Sequence, residues 1–197
     1  MKKLIVLFLL IPSLLFAGNV QKMHSAVLQK AIGGGSCSVS VTFAPSGTKG
    51  ATTFGHYANR FYGGGVYTTS AAMSVCQVDI RLSLDAGDVS GKTYYVAIYT
   101  MSGTAMGTLQ GASTGVTGSN SWSETDVSFS FASSVSLSDA TDYAFVVYPD
   151  SVDYDNKVEL STITTDTNGM ADVKLWEDNK TLKATYATDM FLVIYED

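Results

Sequence analysis

The sequence predicts an all-β protein in which short strands form a two-sheet sandwich or a barrel. Three observations support this. Apolar residues recur at every second position in many short runs, and the runs are separated by Gly, Ser, Asp and Asn. The chain of 197 residues is 46% hydrophobic and 11% aromatic, which is enough to bury a core, and only 15% charged. Beyond the N-terminus no segment has a sustained helical period.

The N-terminal 17 residues have the order of a secretory signal peptide. A cationic start at Lys2 and Lys3 precedes an apolar run over 4–10, and Ala17 offers a small residue for cleavage. Pro12 interrupts a run that is already shorter than the roughly 20 residues needed to span a bilayer. The sequence therefore predicts a secreted, extracellular protein that has no membrane insertion after signal removal.

Residues 18–36 are predicted to form a short N-terminal arm outside the main domain. Met23, Val27, Leu28 and Ile32 have a helix-compatible spacing, and the hinge 33–36, with the sequence GGGS, ends the pattern. The arm either docks on a partner or neighbouring subunit or is a frayed terminus. The predicted boundaries are thus 1–17, 18–36 and 37–197.

The main domain is predicted to hold nine strands. The clearest lies at 75–84, where apolar residues alternate with the polar Gln77, Asp79, Arg81 and Ser83. The strand 142–148 is apolar on both faces and is expected in the middle of a sheet. The remaining predicted strands are 38–43, 57–62, 93–100, 127–131, 157–162, 173–176 and 189–195.

The two cysteines of the chain, Cys37 and Cys76, are both in phase with apolar alternation. Each thiol is therefore expected to face the interior, Cys37 with Val39, Val41 and Phe43. In an oxidising compartment the pair can form a disulfide; the alternative is two buried free thiols that act as small hydrophobic groups.

The order of several core and turn patterns resembles a family of jelly-roll modules from secreted bacterial proteins and bacteriophage tail or surface proteins, similar in architecture to carbohydrate-binding modules. The pattern runs through 75–84, 94–99, the turn at Gly103 and 107–109, Trp122 before 127–131, Leu137 before 142–147, and 188–195. The resemblance covers roughly residues 55–197. It implies a two-sheet antiparallel jelly-roll sandwich and says little about function.

Net charge argues against nucleic acid as a partner. Without the two N-terminal lysines the chain holds 10 basic and 18 acidic residues, a net charge of −8. Residues 124–197 carry fifteen acidic and four basic side chains, so the acid is concentrated in the second half. Such a half gathers cations or keeps an exported protein soluble.

Catalytic motifs are sparse, and the sequence predicts a protein that is not an enzyme. The only histidines are His24 in the arm and His56 in an aromatic, Gly-rich segment, too few for a multi-histidine zinc site. A Gly-x-Ser-x-Gly elbow is missing, and the segment 87–93 lacks the glycine spacing of a phosphate-binding loop. Most aspartates lie in predicted turns, where they hydrogen-bond the backbone, and not as paired catalytic carboxylates.

No cofactor is predicted, although a structural calcium is an open alternative. The acidic segments 150–156 and 166–172 supply oxygen ligands at short intervals, as calcium requires. Neither segment matches an EF-hand loop, and ordinary Asx-rich turns are the preferred explanation of both.

The aromatic residues provide the functional hypothesis. Sugar-binding β modules stack flat Tyr or Trp faces on the apolar side of a sugar ring while polar groups hold its hydroxyls. Tyr57, Phe61, Tyr62, Tyr67, Tyr154 and Trp176 are candidates, whereas Tyr94, Trp122, Phe129, Phe131 and Phe145 are expected in the core. The predicted binding residues are Trp176 and Tyr154 as stacking surface, with Tyr62, and Asp153 or Asp155 as hydroxyl ligands.

The predicted function is therefore non-catalytic extracellular recognition, through a glycan-binding or adhesion module whose partner is a cell-surface or extracellular polysaccharide. The alternative is a structural subunit of a virion tail, virion surface or extracellular appendage that self-assembles. That alternative draws on the phage resemblance, the arm and the Gly-rich segment 63–65, which is expected to be open.

Overall fold

A computed structural model describes residues 37–44, 49–163 and 170–197. The predicted signal peptide, the predicted arm and part of the second acidic segment lie outside these residues. Within them the chain forms fourteen strands and one 3-10 helix, Ala58–Arg60. None of the helical structure described is long and apolar enough to cross a membrane.

The strands occur in chain order with the following bounds: β1 Ser38–Phe43, β2 Lys49–Phe54, β3 Tyr62–Thr68, β4 Met73–Ala86, β5 Thr93–Ser102, β6 Ala105–Ala112, β7 Val116–Thr117, β8 Thr125–Leu137, β9 Asp142–Pro149, β10 Lys157–Ile163, β11 Met170–Trp176, β12 Leu182–Tyr186, β13 Asp189–Met190 and β14 Leu192–Glu196.

The strands form two antiparallel sheets that pack face to face, which confirms the predicted all-β, two-sheet sandwich. The first sheet has the order β1-β14-β4-β10-β13, with β2 paired to β10 and β8 paired to β4. The second has the order β12-β11-β3-β9-β5-β6, with β7 paired to β5. One hydrophobic core, to which both sheets contribute, lies between them.

The alternation in β4 shows how sequence determines which face is buried. Val78, Ile80 and Leu82 are at most 1% exposed, whereas Asp79 and Arg81 on the other face are half-buried. The strand is central to the first sheet, because β8, β14 and β10 all pair with it.

Strand β9 lies between β3 and β5, as its two apolar faces predict. Its residues Tyr143, Phe145 and Val147 belong to the core between the sheets, which also contains the predicted core residues Tyr94, Trp122, Phe129 and Phe131. The alternate residues of β9, Ala144 and Val146, face the other way.

A second apolar cluster covers the outer face of the second sheet. Alternation assigns it to that face, because Val96 and Ile98 of β5 join the core while Ala97 and Tyr99 join the second cluster. The cluster consists of Tyr62, Val66, Ala97, Tyr99, Met106, Ala144, Val146 and Trp176. The sequence predicts two apolar faces only for the strand 142–148 and does not predict this second layer.

The segment 57–62 is not a strand, contrary to prediction. Gly55 has a positive φ of 73°, and its N–H donates to the Arg60 carbonyl at 2.7 Å, so the chain closes a loop over 55–60 before β3 begins. The Gly-rich segment 63–65 is also not open: it lies buried inside β3, paired with both β11 and β9.

Cys37 and Cys76 form a disulfide with a Cα–Cα distance of 6.1 Å. It joins the start of the edge strand β1 to β4. The expected inward orientation is only partly right, because β1 and β4 both have irregular registers: Val39 is 57% exposed, and Cys76 is buried but lies outside both apolar clusters.

Candidate functional site

Three loops meet at one end of the sandwich: 55–60 after β2, 87–92 between β4 and β5, and 150–156 between β9 and β10. The Asp153 N–H donates to the Gly55 carbonyl at 3.3 Å, and the Asp88 N–H donates to Asn156 Oδ1 at 2.6 Å. Loops are where binding residues concentrate on a rigid β scaffold, so this loop end is the candidate site.

Two exposed tyrosines from different loops touch at this loop end. Tyr57 is 44% exposed and Tyr154 is 62% exposed. Their ring centroids lie 5.1 Å apart, and the ring planes meet at 66°. Among the described residues, these are the two most exposed aromatic side chains, and we call them the tyrosine pair.

His56 packs against Tyr57 of the tyrosine pair. Its side chain is 6% exposed, and its ring centroid lies 4.2 Å from that of Tyr57. Burial lowers the pKa of His56 below 6.5, and the nearby cations Arg60 and Lys157 lower it further; a hydrogen bond with the Phe54 backbone and the charge of Asp85 oppose the shift. His56 is therefore uncharged at neutral pH and acts as a packing element.

Acidification is expected to destabilise this loop end through His56. Because its pKa is lower in the folded than in the unfolded state, the unfolded chain binds more protons as the pH falls through 6.5, and folding stability falls with it. The melting temperature should drop between pH 7.5 and 5.5, and the drop should be smaller in His56→Gln. An equal drop in both proteins would contradict this role for His56.

Asp153 organises the loop 150–156. Its Oδ1 accepts the N–H groups of Asp155 at 3.0 Å and Asn156 at 3.2 Å, and its Oδ2 accepts Asn156 Nδ2 at 2.9 Å. Lys92 Nζ lies 3.1 Å from Oδ2. The Asn156 side chain, the Asp155 N–H and Lys92 together hold the pKa of Asp153 well below its usual range.

Asp155 differs from Asp153 although the two are close in sequence. Its side chain is exposed, and within the described part of the chain its carboxylate accepts no hydrogen bond and forms no ion pair. The carboxylate adjacent to Tyr154 is therefore available to a ligand, whereas that of Asp153 is engaged by the protein itself.

Gly55 fixes the loop 55–60 against Pro149. A Cβ at Gly55 would lie 2.7 Å from Pro149 Cγ, and the positive φ of 73° also disfavours other residues. This close approach brings Tyr57 alongside the loop that carries Tyr154.

A depression between these loops has no room for a water molecule. Its walls are formed by Phe54, Gly55, Lys92, Tyr94, Pro149, Ser151, Asp153 and Asn156. Pockets that enclose a small ligand usually measure at least ~300 Å³, so the exposed ring faces offer the contact area that this depression does not.

The structure brings together three of the five predicted binding residues. Tyr154, Asp153 and Asp155 share the loop 150–156, and Tyr57 joins them from a loop almost 100 residues earlier. Lys92, which the sequence reasoning did not select, completes the group through Asp153. No local pattern predicts this contact, because it depends on how two distant loops pack.

The predicted stacking role of Trp176 does not fit its position. Trp176 is 0% exposed in the second apolar cluster, and its indole N–H donates to the Thr104 carbonyl at 3.1 Å. Tyr62, also predicted to bind ligand, is 8% exposed in the same cluster. The acidic neighbours of Trp176 suggested exposure, but it is the last residue of β11 and points into the second layer.

Among the described residues, one group of three possible metal ligands is close enough to share an ion: Cys37, Cys76 and Asp197. The two sulfur atoms are bonded to each other in the disulfide and do not act as thiolate ligands. In the acidic segment 150–156, both oxygens of Asp153 are directed at N–H donors.

Comparisons with known proteins assign the chain to no family. No family model matches the sequence, and neither the curated proteins nor the solved structures contain a match to it.

Proposed function

We propose that the protein is a non-catalytic recognition module that binds a glycan outside the cell through the tyrosine pair. The observation that carries this proposal is the contact between Tyr57 and Tyr154, two exposed rings from separate loops. Solvent-exposed aromatic rings that form a cluster are costly for a free protein surface, and a ligand that covers them recovers that cost.

The chemistry of the tyrosine pair suits a sugar. A tyrosine face packs on the apolar C–H side of a pyranose ring, and its hydroxyl donates to or accepts from the sugar. Because the two rings meet at 66°, they form an angled surface that fits the end or a branch of a chain better than a flat, extended polysaccharide. Asp155 supplies an unused carboxylate for sugar hydroxyls.

The surroundings hold this surface in place before a ligand arrives. His56 packs on Tyr57, Gly55 fits closely against Pro149, and Asp153 ties its own loop to Lys92. A loop that is already ordered loses less conformational entropy on binding, so a small site achieves useful affinity.

The proposal includes export by the N-terminal signal and a jelly-roll arrangement of the strands. Neighbours such as β3 and β9, or β4 and β10, come from distant parts of the chain, as Greek-key crossovers between two sheets require. In that arrangement the loops at one end of the sandwich converge. Tyr57 and Tyr154 are neighbours because the loops that carry them lie at the same end.

A glycan array followed by titration tests this function. We expect hits on the array, and we expect Tyr154→Ala to weaken the binding of a hit about tenfold or more, since a central aromatic contact contributes about 1–2 kcal/mol. Leu109→Ala is the matched control, because Leu109 is 47% exposed on β6 and outside the loop end. An array without hits, or equal affinities for the Tyr154→Ala protein and the parent, would remove the proposal.

A structural role in a virion or appendage is the alternative function. The observation in its favour is the edge strand β1, which in the described part of the chain pairs on one side only, with β14, and exposes Val39 by 57%. Size-exclusion chromatography with light scattering separates the two functions: a monomer that binds sugar supports recognition, and a defined oligomer without a ligand supports assembly.

A further inference from the structure

The turn between β11 and β12 carries a modification motif outside the tyrosine pair. Asn179, Lys180 and Thr181 form the pattern Asn-x-Ser/Thr with a residue other than proline in the middle, which is the acceptor motif for N-linked glycans. It is the single such motif among the six asparagines of the chain. The other five are followed two positions later by a residue without a hydroxyl group: Asn19 by Gln21, Asn59 by Phe61, Asn120 by Trp122, Asn156 by Val158 and Asn168 by Met170.

The structure places this motif on the surface. Asn179 and Thr181 are both exposed. Strand β11 ends at Trp176 and β12 begins at Leu182, so the motif lies wholly within the turn of a hairpin. A bulky group attached there does not have to enter the core or displace a strand. The fold therefore tolerates a glycan on Asn179, whether the glycan is added before or after folding.

The Asn179 amide nitrogen is held by one exposed contact only. Asn179 Nδ2 donates to Glu177 Oε2 at 3.2 Å, while Asn179 Oδ1 accepts the Thr181 N–H at 2.9 Å. The backbone closes the same turn, because the Glu177 N–H donates to the Thr181 carbonyl at 2.9 Å. Water replaces a hydrogen bond between exposed groups at little cost, so the amide nitrogen is available for reaction.

The acidic residue Glu177 extends the motif to Glu-x-Asn-x-Thr. Bacterial oligosaccharyltransferases accept asparagine in this longer form, with an acidic residue two positions before it, whereas the eukaryotic enzymes need only the shorter form. The turn thus carries the form that both classes of enzyme accept.

We propose that Asn179 is the acceptor of an N-linked glycan during export. The donor is a lipid-linked oligosaccharide diphosphate, and the catalyst is an oligosaccharyltransferase of the exporting membrane. Asn179 Nδ2 bonds to C1 of the first sugar, the bond from C1 to the diphosphate oxygen breaks, the lipid diphosphate leaves with the bonding electrons, and Nδ2 gives up one proton. The inference rests on the export included in the proposed function and is independent of whether the tyrosine pair binds a glycan.

The attached glycan would stand beside the loop that carries Tyr57. The Asp178 N–H donates to the Ala58 carbonyl at 2.9 Å, so the turn and the loop 55–60 are in contact. Binding assays of the tyrosine pair should therefore use protein without this modification.

Mass spectrometry of exported protein tests the inference. The full chain is produced in a bacterial host that carries a periplasmic oligosaccharyltransferase and its lipid-linked donor, and in a secreting eukaryotic cell. In both hosts we expect the peptide with Asn179 to gain the mass of the host oligosaccharide, and Asn179→Gln to abolish the gain. Thr181→Ser should keep the modification and Thr181→Ala should lose it, because the enzymes recognise the hydroxyl group. Glu177→Gln should lose most of it in the bacterial host and keep it in the eukaryotic cell.

The inference and the proposed function fail in different ways. Exported protein with unmodified Asn179 in both hosts would overturn the inference and leave glycan binding by the tyrosine pair in place. Modification that survives in Thr181→Ala would overturn it as well. Absence of the protein from the periplasm and the medium would overturn export and, with it, this inference. The urea midpoint of each variant is measured, so that lost modification is not confused with lost folding.

Discussion

Replacing Gly64 with alanine is expected to destabilise the native fold severely. A Cβ at this position would lie 2.8 Å from the Val146 Cα and 2.9 Å from the Phe145 carbonyl carbon, with the carbonyl oxygen closer still. These are backbone atoms of β9, so no side-chain rotation relieves the clash. Strand β3 is paired with β11 on its other side and cannot move away without loss of those hydrogen bonds.

The cost of Gly64→Ala should exceed about 3 kcal/mol, a large part of the 5–15 kcal/mol that stabilises a typical domain. We expect little soluble protein, or a urea midpoint far below that of the parent. Gly91→Ala is the control, because a Cβ at Gly91 would meet no atom within 4 Å. Parental stability of Gly64→Ala would show that β3 and β9 are not paired as described.

Trp176→Ala should be the second most damaging change, and it should act on stability. The side chain is 0% exposed and fills the second apolar cluster, so its removal leaves a cavity. Truncation of a buried tryptophan typically costs about 3–5 kcal/mol. The Thr104 carbonyl also loses its N–H donor.

Urea denaturation measures this effect, and Trp176→Phe serves as the graded comparison, since it keeps an aromatic ring but not the indole N–H. We expect the order parent, Trp176→Phe, Trp176→Ala in decreasing stability. Whatever fraction of Trp176→Ala remains folded should bind sugar as the parent does. Unchanged stability together with lost binding would instead make Trp176 a ligand contact.

The strands follow from the sequence where alternation is regular and the strand is long. Val78, Ile80 and Leu82 of β4 and the two apolar faces of β9 are local patterns, and local patterns decide which face is buried. The prediction of a strand over 57–62 was wrong because Gly55 turns the chain there, and a positive φ is not visible in an apolar period.

The outer apolar layer and the site could not be derived from local patterns. Trp176 has acidic neighbours, and its burial depends on the hairpin that carries it and on the Thr104 backbone. The tyrosine pair depends on the approach of loops 55–60 and 150–156, set by Gly55 and Pro149. The sequence indicated Tyr154 and its acidic loop as candidates for binding, but it could not identify Tyr57 as the partner ring.

A double-mutant cycle on Tyr57 and Tyr154, with a glycan that the parent binds, tests most directly whether the two rings form one site. Affinities are measured for the parent, Tyr57→Ala, Tyr154→Ala and the double variant. Residues that contact one ligand and each other should be coupled by about 0.5–3 kcal/mol, so the double variant should lose less than the two single losses combined. Additive losses, or no loss in either single variant, would contradict the site.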